Sequence, residues 1–392
     1  MHILLLHPVA QWSLNRVAEI CKREGWRLTI VTIERSTVGD NTAGLHEWIR
    51  VPALSESPRE LLSQIGSRRF DAVAAGNEFA VIAADVLAKE LGLYHNDVIN
   101  IRASRNKSLM REAFARYGVP QPRVLARLSS LEESRAFDWG SVTFPVVVKP
   151  LDMAMSLFVR TCDSQDEVEA ALAKMFAFRK ARLTNYEFTV GALVEEFAEG
   201  PEFSLECVVQ DESILAHALT QKFVSSLPGC HEVGHISGSD LPAQHRQGLL
   251  ETAERIASSW GMVRGVMHME FKMNPERISI IEAAARPVGG HVTEIVELQH
   301  GLRLEEAYLY ARAGLDWKVP VNEPRGIWHG IRFHFDERSE AARPAGVDVV
   351  RAVHDGEHLV SGAEPFSGNR RTGYSVLRSE SLRDLDTYIR TL

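Results

Sequence analysis

Gly265-Val-Met-His-Met-Glu-Phe271, followed after one turn by Ile278-Ser-Ile-Ile-Glu-Ala-Ala-Ala-Arg286, is the stretch on which the reading of this chain turns. Val266, His268 and Glu270 alternate along the first segment, Ile278, Ile280 and Glu282 along the second, and Met273-Asn-Pro-Glu276 supplies a turn. That pattern predicts an antiparallel hairpin. Same-face side chains of such strands lie within about 5 Å of each other, so Glu270 and Glu282 can share hard cations, which take oxygen ligands and keep bound water and phosphate. Arg286 would face the same anion. From these residues alone, a half-exposed hairpin with two solvated acids is an equal alternative, and the upstream segments decide between them.

At 392 residues with an ordinary apolar and charged fraction, the chain is long enough for two or three packed domains. Its formal net charge of −8 and lack of any basic run give a nucleic-acid partner no electrostatic support, because phosphate backbones need clustered Lys and Arg. Cys21, Cys162, Cys207 and Cys230 are scattered with no Cys-x-x-Cys pair, as in reduced cytosolic proteins. Ile3 to Leu6 is too short an apolar run for a signal peptide, and no segment approaches the ~20 apolar residues of a membrane helix. A soluble cytoplasmic protein with neither nucleic-acid nor membrane partners is expected.

The first hundred residues alternate strand and helix patterns. Strands are predicted at His2 to His7, Arg27 to Ile33 and Asp71 to Ala75, with helices near Leu14 to Glu24, Pro58 to Ile65 and Phe79 to Leu91. That is a parallel α/β layer, with Ala75-Gly-Asn-Glu78 on the edge where open parallel sheets bind ligands. No Gly-x-Gly-x-x-Gly follows the first strand, which argues against a dinucleotide site. A helix over Ser104 to Tyr117 stops at Gly118-Val-Pro120, and strands return near Val124, at Phe144 to Lys149 and at Leu157 to Thr161. Ser164 caps a helix from Gln165 to Phe178. Ala192 to Phe197, Glu202 to Gln210 and Ser213 to Leu219 read as one antiparallel set. Leu219 to Leu241 reads as a long Gly, Ser and Pro-rich connection. After a helix near Gln244 to Trp260 come the acidic hairpin, helices near His291 to His300 and Leu304 to Ala313, and a last eighty residues of short strands such as Gly326 to Phe335.

Lys149 ends the apolar strand Phe144-Pro-Val-Val-Val-Lys149-Pro150, and Lys107 opens the helix Asn106-Lys-Ser-Leu-Met-Arg111. Both are compact cations suited to phosphate, though a lysine at such a place is more often just a solvated surface residue. Leu193-Val-Glu-Glu-Phe-Ala-Glu-Gly-Pro-Glu202 enters as a strand and breaks at Gly200-Pro201. Its backbone at Glu196 to Ala198 suits an adenine edge and Glu202 suits ribose hydroxyls, the alternative being an ordinary acidic hairpin.

The ordered set Lys107, Lys149-Pro150, Glu195-Glu196-Phe197, Gly200-Pro-Glu202, Glu270 and Glu282-x-x-x-Arg286 resembles the ATP-grasp carboxylate–amine ligases, and most of all the L-amino acid ligases that make dipeptides or amides. The resemblance covers roughly residues 1 to 315. It implies an α/β ATP-grasp fold with a parallel pre-ATP-grasp domain (1–100), an ATP-grasp domain (101–315, lid about 122–197) and a small α+β domain (316–392). It further implies ATP with Mg²⁺, or Mn²⁺ in its place, and amino acid and carboxylate substrates joined through an acyl phosphate with release of ADP and phosphate. Lys107, Lys149 and Ser156 would contact phosphates, Glu195, Glu196, Phe197 and Ala198 the adenine, and Glu202 the ribose. Glu270 and Glu282 would hold the metal, and Arg286 the transferring phosphate or activated carboxylate. Two departures stand out: Ala284 occupies the position where the family has a metal-binding Asn, and Leu151-Asp-Met-Ala-Met-Ser156 lacks the usual glycines. They leave open a protein that binds ATP without consuming it. Homodimers are common in such folds, and one is entertained here.

His231-Glu-Val-Gly-His235 matches the zinc-peptidase spacing, but that motif needs a helix and the glycines around it favour a loop. The family resemblance instead puts His231, Glu232 and His235 near the acyl acceptor, to recognise the amine or take its proton. His268 shares a strand face with Glu270, and Gly289-Gly290 opens a helix whose amides can bind a carboxylate; a core histidine and a plain tight turn are the alternatives.

Overall fold

A computed structural model describes residues 1–34, 36, 38–39, 46–154, 156–178, 186–224, 232–238, 241, 243–320, 326–335, 343–354 and 371–391. The amino-terminal layer runs β1 (His2–Leu6), α1 (Gln11–Arg23), β2 (Arg27–Ile33), β3 (Glu47–Val51), α2 (Pro58–Ile65), β4 (Ala72–Ala75) and α3 (Val81–Glu90). Its sheet is wholly parallel, ordered β3-β2-β1-β4. Strands buried on both faces read as continuous apolar runs, which is why β1 and β2 are legible in the sequence. The half-exposed β3 was not predicted.

Helix α4 (Lys107–Arg116) leads into the lid: β5 (Val124–Leu128), α5 (Leu131–Ala136), β6 (Val146–Pro150), β7 (Arg160–Cys162), α6 (Gln165–Ala177) and β8 (Ala192–Glu196). The lid strands form an antiparallel sheet ordered β5-β8-β6-β7. The Ser164 hydroxyl does cap α6, accepting from the Glu167 amide, while the Glu167 carboxylate accepts from the Asp163 amide, one residue before the cap, at 3.0 Å.

The third sheet has eight strands, ordered β13-β12-β9-β10-β11-β14-β16-β15. Its elements are β9 (Glu202–Gln210), β10 (Ser213–Val224), β11 (Glu232–Ser237), α7 (Ala243–Ser259), β12 (Gly265–Met273), β13 (Ile278–Ala284), α8 (Val292–His300), α9 (Leu304–Arg312), β14 (Trp328–Phe335), β15 (Val347–His354), β16 (Arg371–Ser379) and α10 (Leu382–Arg390). Two sequence readings change here. The strand at Ala192 pairs within the lid rather than with β9 and β10. Within the expected connection from Leu219 to Leu241, β10 runs on to Val224 and pairs with β11. The last strands extend the central sheet through the β11–β14 pairing.

One core joins the first and third sheets: Leu4, Leu6 and Val73 belong to the same buried cluster as Leu205, Met269, Phe271 and Trp260. Gly200, at the turn from the lid into β9, has φ +105°, and a methyl group there would overlap the Met273 carbonyl of the β12–β13 turn. The Gly-Pro break is thus a point of close backbone approach. Gly200→Ala is expected to cost about 1–3 kcal/mol in urea unfolding, as overpacking against rigid backbone does.

Candidate active site

Asn106 accepts hydrogen bonds from the Ser108 and Leu109 amides, which starts α4 at Lys107 and buries that side chain toward the hairpin. The Lys107 ammonium donates to Glu282 at 2.8 Å and to the Met153 carbonyl at 2.9 Å. One helical turn on, Arg111 forks onto Glu195 at 2.7 and 3.2 Å and donates to the Ile280 and Ile281 carbonyls. Lys149, from β6, meets the same Glu195 carboxylate at 2.6 Å. Burial, the Arg111 charge and that of Lys107 hold Lys149 down to about 8 against the pull of Glu195. Arg111 escaped the sequence reading, although its four-residue spacing from Lys107 puts both on one helix face.

The hairpin forms as expected, with Glu270 directly opposite Glu282. Each carboxylate already faces ammonium groups. Lys222, on β10, lies 2.5 Å from Glu270, 2.9 Å from Glu202 and 3.0 Å from Glu232. Burial would lower Lys222, but Glu202, Glu232 and Glu270 raise it well above the usual lysine value. His268 bridges Glu206, at 2.9 Å from Nδ1, and Glu270, at 3.0 Å from Nε2. Burial opposes its charge, yet the two carboxylates raise it to about 9, so its ring donates to both. Ser204 donates to Glu206 at 2.8 Å and completes the relay. Both ring nitrogens of His268 are thus taken up by carboxylates, one of them Glu270. Lys222 was missed because it sits in a strand read as loop.

Arg286 bonds Glu78 through Nε and the Pro287 carbonyl through Nη1. Farther along the same sheet, His235 is buried on β11, edge-on to Phe333, with Glu232 at 3.7 Å. A methyl on Gly290 would lie 3.9 Å from His235 Nε2, so the Gly289-Gly290 turn and His235 share one wall. His231 lies outside the described residues; Glu232 to Ser237 form a strand, not the helix that the zinc-peptidase motif needs.

The remaining nucleotide candidates divide. The Glu195 side chain is locked between Lys149 and Arg111, and its neighbours in the sheet are on β5 and β6. The Glu196 amide donates to the Arg123 carbonyl and its carboxylate takes Arg277 at 2.7 Å. Phe197 lies under the Lys272 ammonium, 4.8 Å from the ring centre, and with Ala198 follows the end of β8. Ser156 is exposed in a turn at φ +53°.

The residues fit Mg²⁺ and a nucleotide. Among the described residues no group of three or more metal-ligating side chains exists, and Mg²⁺ with phosphate needs only one or two carboxylates. Glu270 and Glu282 are opposed, partly exposed, and ion-paired with lysines suited to phosphate oxygens. Ala284, buried opposite His268, adds no ligand.

The ATP-grasp domain family matches residues 142–295. The chain is 24% identical over 332 residues to alanine–anticapsin ligase of Bacillus subtilis, covering 78% of this chain and 69% of that one. It is 29% identical over 250 residues to dapdiamide A synthase of Enterobacter agglomerans, covering 60% and 55%; the chain thus spans only part of the length of these two relatives. The crystal structure of an L-amino acid ligase from Bacillus licheniformis superposes with a TM-score of 0.75 at 19% identity, over 99% of this chain and 96% of that one. Residues 142–295 are an ATP-grasp domain within a mixed α/β ATP-grasp fold. Alanine–anticapsin ligase and the L-amino acid ligase are ligases by name, and with the second this chain shares its fold. No helix among the described residues is long and apolar enough to cross a membrane.

Proposed function

We propose that this chain is an amide-forming ligase that uses ATP with Mg²⁺ and joins the carboxylate of an amino acid or small acid to the amine of a second amino acid, and that the face of the central sheet running from the Glu270–Glu282 hairpin to β11 is where it does so. The observation that carries this is the in-register pair Glu270 and Glu282, with Lys222 on the first and Lys107 on the second. ATP bound with Mg²⁺ supplies the phosphoryl group that turns a carboxylate into an acyl phosphate. No protein nucleophile is needed, so the chain's task is positioning and charge stabilisation.

Glu270 and Glu282 would hold the metal, with Lys107 and Lys149 on phosphate oxygens and Ser156 as a hydroxyl donor from the loop. The backbone at Phe197 and Ala198 would meet the adenine and Glu202 the ribose. Glu195, and Glu196 beside it, would act by fixing Lys149 and the lid strand. Lys222, released from Glu202 and Glu232 as ligands arrive, would neutralise charge on the carboxylate substrate. As the amine nitrogen bonds the acyl carbon and the carbon–oxygen bond to phosphate breaks, Glu232 would accept the amine proton beside His235. The Gly289-Gly290 turn would leave room for the amino acid. Mild negative charge supports small-molecule partners over nucleic acid, and a cytoplasmic homodimer is part of the same reading.

The test is phosphate release from Mg-ATP across pairs of amino acids and small carboxylic acids, with mass spectrometry of each positive pair. The expected result is release that requires both partners and yields their summed mass less water. ATP binding with no release for any pair would sink the reading in favour of a non-catalytic nucleotide binder.

A further inference from the structure

Glu78 follows β4, at the carboxyl end of the parallel sheet, in a single 3₁₀ turn over Glu78–Ala80. Three features hold that turn to the end of β1. The Asn77 side chain donates to the His7 carbonyl and accepts from the Phe79 amide. The Gly76 amide donates to Leu6 at 2.7 Å. A side chain on Gly76 would come within 2.6 Å of the Pro8 backbone, so the loop is pressed onto its neighbour. Glu78 is consequently a buried carboxylate on a rigid mount.

Two guanidinium groups converge on it. One Glu78 oxygen accepts from Arg105 at 2.8 Å and the other from Arg286 Nε. Burial would raise the Glu78 pKa, but Arg286 and Arg105 overcome it and hold it to about 2. With Nε on Glu78 and Nη1 on Pro287, Arg286 keeps only Nη2 without a partner among the described residues. A side chain with four rotatable bonds thus has its direction set from the amino-terminal domain.

Arg105 extends this arrangement to the lid. Its second nitrogen donates to the Asp152 carbonyl at 2.8 Å, in the loop that follows Lys149. The Asp152 carboxylate accepts from the Thr189 amide at 2.9 Å. The Arg105 guanidinium also lies 4.8 Å over Phe79 and 5.9 Å over Tyr186, and those two rings meet at 4.9 Å. Lid residues 186–189, the loop at Asp152 and Arg286 are therefore connected through one buried arginine and one buried carboxylate.

We propose that Glu78 is a positioning residue for Arg286, and that Arg105 makes this positioning depend on the lid being docked. The proposal rests on the reading of Arg286 given under Proposed function. Glu78 touches neither the hairpin carboxylates nor the phosphate-facing lysines among the contacts described, so its effect falls on the orientation of Arg286 and not on nucleotide affinity.

The test compares the parent enzyme with Glu78→Gln, which keeps the side-chain shape and removes the charge, and Glu78→Asp, which keeps the charge but is too short to span both arginines. The first readout is the arginine Nε–H spectrum, with the Arg286 signal assigned by its loss in Arg286→Lys. The second is hydrogen exchange in peptides covering residues 186–196. The third is kcat and KM for ATP. Both Glu78 variants are expected to shift the Arg286 signal toward that of a free arginine and to speed exchange in the lid peptide. They should lower kcat about 10- to 100-fold, with KM for ATP within about twofold. Should Glu78→Gln fail to fold, Glu78→Asp alone decides. An Arg286 signal and kcat unchanged in a folded variant overturn the proposal, as does a rise in KM with kcat retained. A parent enzyme that releases no phosphate with any substrate pair, but whose Arg286 signal still depends on Glu78, refutes the ligase reading and leaves the Glu78–Arg286 tie standing.

Discussion

Glu282→Ala is expected to cut substrate-dependent phosphate release by at least about a thousandfold, the ~4 kcal/mol that a cation clamp on a transferring group contributes. The fold should survive. Glu282 is 28% exposed and its one described ion-pair partner, Lys107, retains the Met153 carbonyl, so the melting temperature should stay within a few degrees of the parent. Glu270 offers a less clean test, because its removal takes one carboxylate from Lys222 and one from His268 at once. Phosphate release and calorimetric unfolding of the same preparation separate the two effects. A stable Glu282→Ala variant turning over at the parent rate would remove Glu282 from the metal site.

The second large effect is expected at Lys222. Lys222→Met leaves Glu202, Glu232 and Glu270 facing one another without the ammonium that lies within 3.0 Å of each. Breaking a buried ion pair in this way costs about 3–5 kcal/mol. Turnover should fall with it. A distinguishing sign follows from the charge left behind: without nucleotide, Mg²⁺ should raise the melting temperature of Lys222→Met by more than that of the parent, since an uncompensated carboxylate cluster binds a divalent cation more tightly. Equal responses to Mg²⁺ would mean that the three carboxylates disperse when the lysine is lost. Lys222→Arg, which keeps the charge, should recover stability better than activity, because a planar fork does not reproduce a compact ammonium.

Much of this site was legible from local pattern. The alternation around Glu270 and Glu282 predicts the hairpin, and the structure sets the two carboxylates opposite each other. Asn106 before Lys107 predicts the start of a helix, and its side chain caps α4. What escaped was whatever depends on a partner strand. The segment from Leu219 to Leu241 carries glycines, serines and a proline, so its composition predicts loop; pairing with β9 and β11 makes residues 219–224 strand and delivers Lys222 into the site. His268 was placed on the Glu270 face correctly, but only the neighbouring strand β9 brings Glu206 to its other nitrogen.

The sequence by itself determined the alternating α/β layer, the acidic hairpin, the ordered lysines and acids, and through them the kind of chemistry, because periodicity and turn residues act over a few neighbours and charged side chains declare their ligands by type. The tertiary structure alone decided which charges meet. Glu78 and Arg286 are more than two hundred residues apart, Arg111 and Glu195 more than eighty, and β14 joins the central sheet through β11. Such pairings depend on how layers stack and which buried charge must be neutralised, a balance of desolvation against Coulomb attraction that is set only when the whole core closes.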